Sequence, residues 1–167
     1  MYILIFGFIF SCEEEKLVND KPIDWSKDKS TDFAKDLAFE EQINIQLYLK
    51  RRPQWKMTST GTGLQYWIYD DVDGPTAKEG DIVEVTFEVK LLDDSLCYKT
   101  EEFEVSSFKV DKSDIESGVQ EGIKFLSKGD KATFIIPSHL GHGLLGDMNK
   151  IPPLQALIVD IEVVDIK

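Results

Sequence analysis

Two thiols and two imidazoles, Cys12, Cys97, His139 and His142, are the soft and near-neutral titrating side chains of this sequence. Two cysteines cannot build a Cys-rich zinc site, and they offer no disulfide framework. With only two histidines, a His-based metal site would have to be completed by carboxylates. Carboxylates are abundant: 31 Asp+Glu stand against 19 Lys+Arg in 167 residues, for a formal net charge of -12 at pH 7. An anionic surface repels nucleic-acid phosphates and gives no electrostatic hold on anionic lipids, so neither is expected as a partner. No cofactor is implied. At 42% hydrophobic and 11% aromatic the chain has the composition of a folding domain, with length for one domain and a short appendage.

Cys12 follows an uncharged apolar run, Tyr2 to Phe10 (YILIFGFIF). The run falls short of the roughly 20 residues that a spanning helix needs, and it reads as the hydrophobic region of a secretory signal. In Ile9-Phe10-Ser11-Cys12 an aliphatic residue and then a small one precede the cysteine, which resembles the bacterial lipobox. There the signal is cleaved before the cysteine, and the thiol receives diacylglycerol. Phe10 is bulkier than the usual occupant, and no Lys or Arg precedes the run. The alternatives are a plain secretory peptide or a disordered apolar end. On the lipobox reading residues 1–12 are a lipoprotein signal, Cys12 is lipidated, and the lipid is the contact with the membrane. Cys97 is then a lone thiol, read as buried. Glu13-Glu14-Glu15 resembles an export tag of surface lipoproteins, or is simply a solvated tether. The expected location is the bacterial cell envelope, as an outer membrane lipoprotein facing the periplasm or the cell surface.

Residues 13–30 are polar and charged and carry Pro22, the composition of a flexible tether. Ser30-Thr31-Asp32 offers a helix cap, and residues 31–56 form an N-terminal helical segment. Phe39, Ile43 and Leu47 recur every four residues, with Leu37, Ile45 and Leu49 on a neighbouring stripe. This predicts an amphipathic helix ended by Pro53. It either packs on its own domain or serves as a dimerisation or partner-binding arm. From residue 57 the period shortens. Extended runs are predicted at Gly63–Tyr69, Asp81–Val89, Leu96–Tyr98, Phe103–Val110, Lys131–Ile136 and Ala156–Ile166. Ser113-x-x-Glu116 resembles a capping box opening a short helix with Val119, Ile123 and Leu126 on one face, closed by Gly129. About five strands around one short helix, with no βαβ alternation, give an antiparallel α+β domain over residues 57–167.

The last third carries recognisable text: Gly118-Val119-Gln120-Glu121-Gly122, Gly129-Asp130-Lys131-Ala132, Ile135-Ile136-Pro137, Gly141-His142-Gly143, Ile151-Pro152-Pro153 and Leu157-Ile158-Val159-Asp160. With Gly63-Leu64-Gln65-Tyr66 and the start at Gly80-Asp81, these resemble the FKBP-type peptidyl-prolyl cis–trans isomerases over about residues 60–167. The order of lipobox, acidic tether, helix and domain resembles the lipoprotein FKBPs associated with gliding motility. The resemblance implies an antiparallel sheet curved around the short helix, and proline-containing polypeptides as clients. The implied reaction is rotation about X–Pro bonds, whose barrier is about 18–20 kcal/mol because a twisted amide loses its resonance. No nucleophile, metal or cofactor is required.

The resemblance also implies site residues. Phe87 stands for a strand Tyr and keeps the ring without the hydroxyl; Tyr98 stands for a pocket Phe. Lys99 stands where the family has an Asp, a reversal of charge. Phe108 matches an aromatic read as core rather than pocket. Ile115 and Glu116 match a Val-Ile pair whose second member offers its backbone N–H to the substrate carbonyl. Val119 replaces the Trp under the proline ring, His142 replaces a Tyr whose hydroxyl donates to ligand, Ile151 matches directly and Val159 replaces a Phe. Phe87, Ile151 and Val159 would serve a core whatever the function, while His142 could be a loop residue and Lys99 a solvated one. Two functions therefore stand side by side: an envelope-tethered prolyl isomerase, or a non-catalytic FKBP-like chaperone or subunit of a motility or secretion machine.

Overall fold

The computed structural model describes residues 27–167, and the lipobox and acidic run lie outside them. Helix α1 spans Lys27–Lys50, followed by strands β1 (Thr58–Ser59), β2 (Gln65–Asp70), β3 (Ile82–Leu91), β4 (Leu96–Lys99) and β5 (Ser106–Lys109). Helix α2 (Ser117–Ile123), β6 (Lys131–Ile136), a 3-10 turn at Ser138–Leu140 and β7 (Leu157–Ile166) complete the chain. The strands form one antiparallel sheet in the order β1-β2-β6-β7-β3-β4, with β5 also paired to β3. The sheet has seven strands where about five are expected: each of the six extended runs contributes one, and the seventh, β1, has only two residues, too few to leave a period.

Strand alternation sorts side chains between two cores. On β6, Ala132, Phe134 and Ile136 face α2, and on β7 so do Leu157, Val159, Ile161 and Val163. Ile135 and Ile158 point the other way, into a second cluster with Ile45, Tyr48 and Ala156. Both faces are covered, which is why these strands read as continuous apolar runs rather than clean alternation. Helix α2 packs close to β6. A Cβ at Gly118 would sit 2.5 Å from Ile136, and one at Gly122 would sit 2.6 Å from Phe134. Glycine four residues apart keeps one helix face flat against the sheet.

Two expectations need correction. The stripe of Phe39, Ile43 and Leu47 on α1 is exposed, and the helix docks through the neighbouring stripe, with Ile45 buried and Leu37 and Leu49 half-buried, together with Glu41 and Tyr48. Polar anchors choose that face. Glu41 accepts hydrogen bonds from Ser138 N–H at 2.7 Å and from its hydroxyl at 3.1 Å. The Tyr48 hydroxyl donates to Asp94 at 2.9 Å, Arg52 forks onto the same carboxylate at 2.7 and 2.8 Å, and its guanidinium lies 3.6 Å from the Tyr48 ring centre. Among the described residues the helix already covers Lys27 to Ser30, ahead of the expected cap. The second correction concerns α2. It begins at Ser117 after Glu116, with no side-chain cap. Ser113 instead accepts the Lys109 N–H at 2.9 Å, a turn that competes with capping.

Candidate active site

The inner face of the sheet and the start of α2 enclose a cavity of about 620 Å3. β3 contributes Phe87 and Val89, and the antiparallel register sets them beside Ile161 and Val159 of β7. β4 contributes Tyr98 and Lys99, and β5 contributes Phe108. The chain entering α2 brings Ile115 and Glu116, the helix brings Val119, and the loop before β7 brings His142 and Ile151. All the residues singled out from the sequence for the site therefore line one cavity. Phe108 packs against the core as expected, and it also lines the cavity, half-buried.

The walls are mostly apolar. Val159 and Ile151 are buried, while Phe87, Tyr98, Ile115 and Val119 are half-buried and turn a surface toward the cavity. The polar groups are largely engaged with one another. His142 Nε2 lies 2.8 Å from Glu116 Oε1, so that nitrogen, expected to face a ligand, is held by a neighbour. The Tyr98 hydroxyl donates to Asp147, and the Asn149 amide donates to the hydroxyl oxygen at 3.2 Å. Asp147 also accepts the N–H groups of Asn149 and Ile151 at 2.8 and 2.7 Å. Its burial opposes charge, but these donors prevail and hold the carboxyl down to about 2; the bond to Asp147 in turn pushes the Tyr98 hydroxyl up. Lys99 is exposed at the lip and pairs with no carboxylate among the described residues.

One backbone group stands apart. The Glu116 N–H, at the lip beside α2, donates to no group among the described residues. Helix starts leave such donors unpaired, and here one borders an apolar cavity. Asp147 and Asn149 escaped the sequence reading. Gly146-Asp147-Met148-Asn149 carries turn residues and no periodicity, so it marks a turn without showing where its side chains go. Cys97 is a buried free thiol, and no cluster of His, Cys, Asp and Glu able to hold a metal occurs among the described residues.

A sheet closed on one short helix, with an aromatic-walled cavity between them and a spare donor at its lip, defines a small α+β protein with one largely apolar cavity of ligand size. The chain belongs to the family of FKBP-type peptidyl-prolyl cis–trans isomerases, whose model matches residues 74–164. It is similar to the FKBP-type peptidyl-prolyl cis-trans isomerase FkpA of Buchnera aphidicola subsp. Schizaphis graminum, with 35% identity over 161 residues, 92% of this chain and 58% of that protein. It is also similar to FkpA of Escherichia coli (strain K12), with 30% identity over 140 residues, 80% of this chain and 48% of that one. The crystal structure of Escherichia coli FkpA superposes with a TM-score of 0.68 at 29% identity, covering 83% of this chain and 64% of that chain. A peptidyl-prolyl cis-trans isomerase structure from Pseudomonas syringae shares the fold, with a TM-score of 0.65 at 19% identity over 76% of this chain and 92% of that one. The chain spans about half the length of the curated relatives it matches.

Proposed function

We propose that this protein catalyses cis–trans isomerisation of X–Pro bonds in exported polypeptides, tethered to the bacterial envelope through a lipid on Cys12. The observation that carries the reading is the unpaired Glu116 N–H beside an apolar cavity of about 620 Å3. A planar amide is more polar than a twisted one, so an apolar cavity favours the twisted state over the planar ground state. The proline ring rests on Val119, Ile151 and Val159, between the rings of Phe87 and Tyr98. The Glu116 N–H holds the proline's own carbonyl, outside the rotating amide, and fixes that side of the bond while the other turns. Membership of the family and the FkpA relatives support the isomerase reading. Support for the tether rests on the lipobox pattern at Ile9 to Cys12.

A second reading, a non-catalytic chaperone or an assembly subunit, is favoured by the paired polar groups. His142 and the Tyr98 hydroxyl are each occupied by a neighbouring carboxylate, which leaves them little to give a substrate.

Proline substitution at Glu116 decides between them. The backbone there has φ -54 and ψ 132, which proline adopts freely, so Glu116→Pro removes the N–H with little strain. Glu116→Ala removes the partner of His142 but keeps the donor. On a tetrapeptide substrate Glu116→Pro should lower kcat/KM about ten-fold relative to Glu116→Ala, the worth of one hydrogen bond. Equal activity in the two variants would contradict the role of the N–H. A folded wild-type chain without activity would favour the binding module.

A further inference from the structure

A second cavity adjoins the first at the start of α2. It holds about 450 Å3 and is lined by Asp114, Ile115, Glu116, Ser117, Gly141 and His142. Ile115, Glu116 and His142 line both cavities, so they form the sill between them. No Lys or Arg lines the second cavity. The lysines on either side of Asp114 along the chain, Lys112 and Lys124, are engaged by Glu79 and Asp111 at 2.6 and 3.1 Å. Asp114 is exposed and has no Lys or Arg partner among the described residues. Glu116 rests Oε1 on His142 at 2.8 Å, and its other oxygen bonds no group among the described residues. The Ser117 hydroxyl is already committed to the Leu140 carbonyl at 3.1 Å. What the cavity offers a visitor is therefore two carboxylates beside the half-buried Ile115. The seven residues of α2 set at most about half a positive charge at its start, less than either carboxylate carries.

The path of a bound chain leads into this cavity. The Glu116 N–H holds the proline's own carbonyl, and the next residue leaves from that carbonyl. Its Cα lies about 3.8 Å from that of the proline. With the proline ring in the first cavity, the residue after it crosses the sill and sets its side chain in the second. Ile115 meets the stem of that side chain, and the carboxylates meet its end. Lysine and arginine have this form, an alkyl stem and a cationic head.

We infer that Asp114 and Glu116 are specificity-determining residues for the position after the proline and select clients in which Lys or Arg follows it. The inference rests on the isomerase reading of the first cavity and names its substrate class. Both carboxylates are open to water, so the selection has the size of surface ion pairs, a few-fold for each charge.

The test uses the full chain and blocked peptides of the form Ala-Leu-Pro-Xaa-Ala, with Xaa as Lys, Gln or Glu. Exchange spectroscopy by NMR reads the catalysed isomerisation. Wild type should favour Lys over Glu about ten-fold in kcat/KM, with Gln between them. Asp114→Asn should lower that ratio to about three-fold, and Asp114→Asn with Glu116→Gln should bring it to about one. The double variant keeps the Glu116 N–H. In 1 M sodium chloride, where the screening length is about 3 Å, the wild-type ratio should also collapse. The peptide Lys-Leu-Pro-Gln-Ala has the charge of the Lys peptide on the other side of the proline and should gain little over Ala-Leu-Pro-Gln-Ala. An equal gain from Lys on either side would assign the preference to the net charge of the molecule and overturn the subsite. So would equal rates for Lys and Glu in wild type, or a ratio that survives in both variants. If wild type isomerises none of the peptides, the isomerase reading falls. The subsite is then judged by NMR shift titration with the same peptides, and it is overturned if the Lys peptide binds no tighter than the Glu peptide.

Discussion

The carboxylate of Asp147 accepts hydrogen bonds from the Tyr98 hydroxyl and from two backbone N–H groups of its own loop. Its folded pKa of about 2 lies below the ordinary value of 3.8. The charged form therefore stabilises the fold above pH 3.8, and that contribution is lost as the pH falls through about 2. Urea midpoints of wild type and Asp147→Asn should differ most above pH 3.8 and converge as the pH approaches 2. A difference that stays constant across that range would mean that Asp147 acts only by shape. Comparing the two chains isolates this residue from Asp93, Asp94 and Asp165, whose carboxyls are also held low by hydrogen bonds. His142 and Glu116 share the lip as a pair, so replacing either changes the other's surroundings.

At the scale of elements, the position of α2 on β6 sets the cavity's depth. Gly122 lies against the Phe134 ring, where a methyl group would meet carbon at 2.6 Å. Gly122→Ala should cost about 1–3 kcal/mol of stability by overpacking. It should also lower activity by lifting Val119 away from the floor. Thermal unfolding with a tetrapeptide assay reads both, and an unchanged melting temperature would contradict the close packing. The strands were readable because β3 alternates cleanly between Val83, Val85, Phe87 and Val89. The lining residues were readable through the family text that β4, α2 and β7 carry. The docking face of α1 was legible only in part, since Ile45 and Leu49 stand out as a second stripe but Phe39, Ile43 and Leu47 make the more regular one. The partners that select the other face, Ser138 and Asp94, lie 97 and 42 to 46 residues away along the chain. Asp147 was hidden for the same reason: its meeting with Tyr98, 49 residues away, exists only once the sheet has formed.

At the scale of the whole molecule, a lipid on Cys12 would hold a domain of net charge -12 beside a membrane that its charge does not attract. Among the described residues no helix is long and apolar enough to cross a membrane. The full chain made in a bacterial host should incorporate labelled palmitate and sediment with membranes, and Cys12→Ser should do neither; an unlabelled wild type would contradict the anchor. Catalysis by the cavity is tested most directly by proline-limited refolding of a protein substrate. Wild type should accelerate the slow phase in proportion to its concentration, and Phe87→Ala, with one cavity wall removed, should lose most of that acceleration. A folded wild-type protein that leaves the slow phase unchanged at micromolar concentration would contradict it.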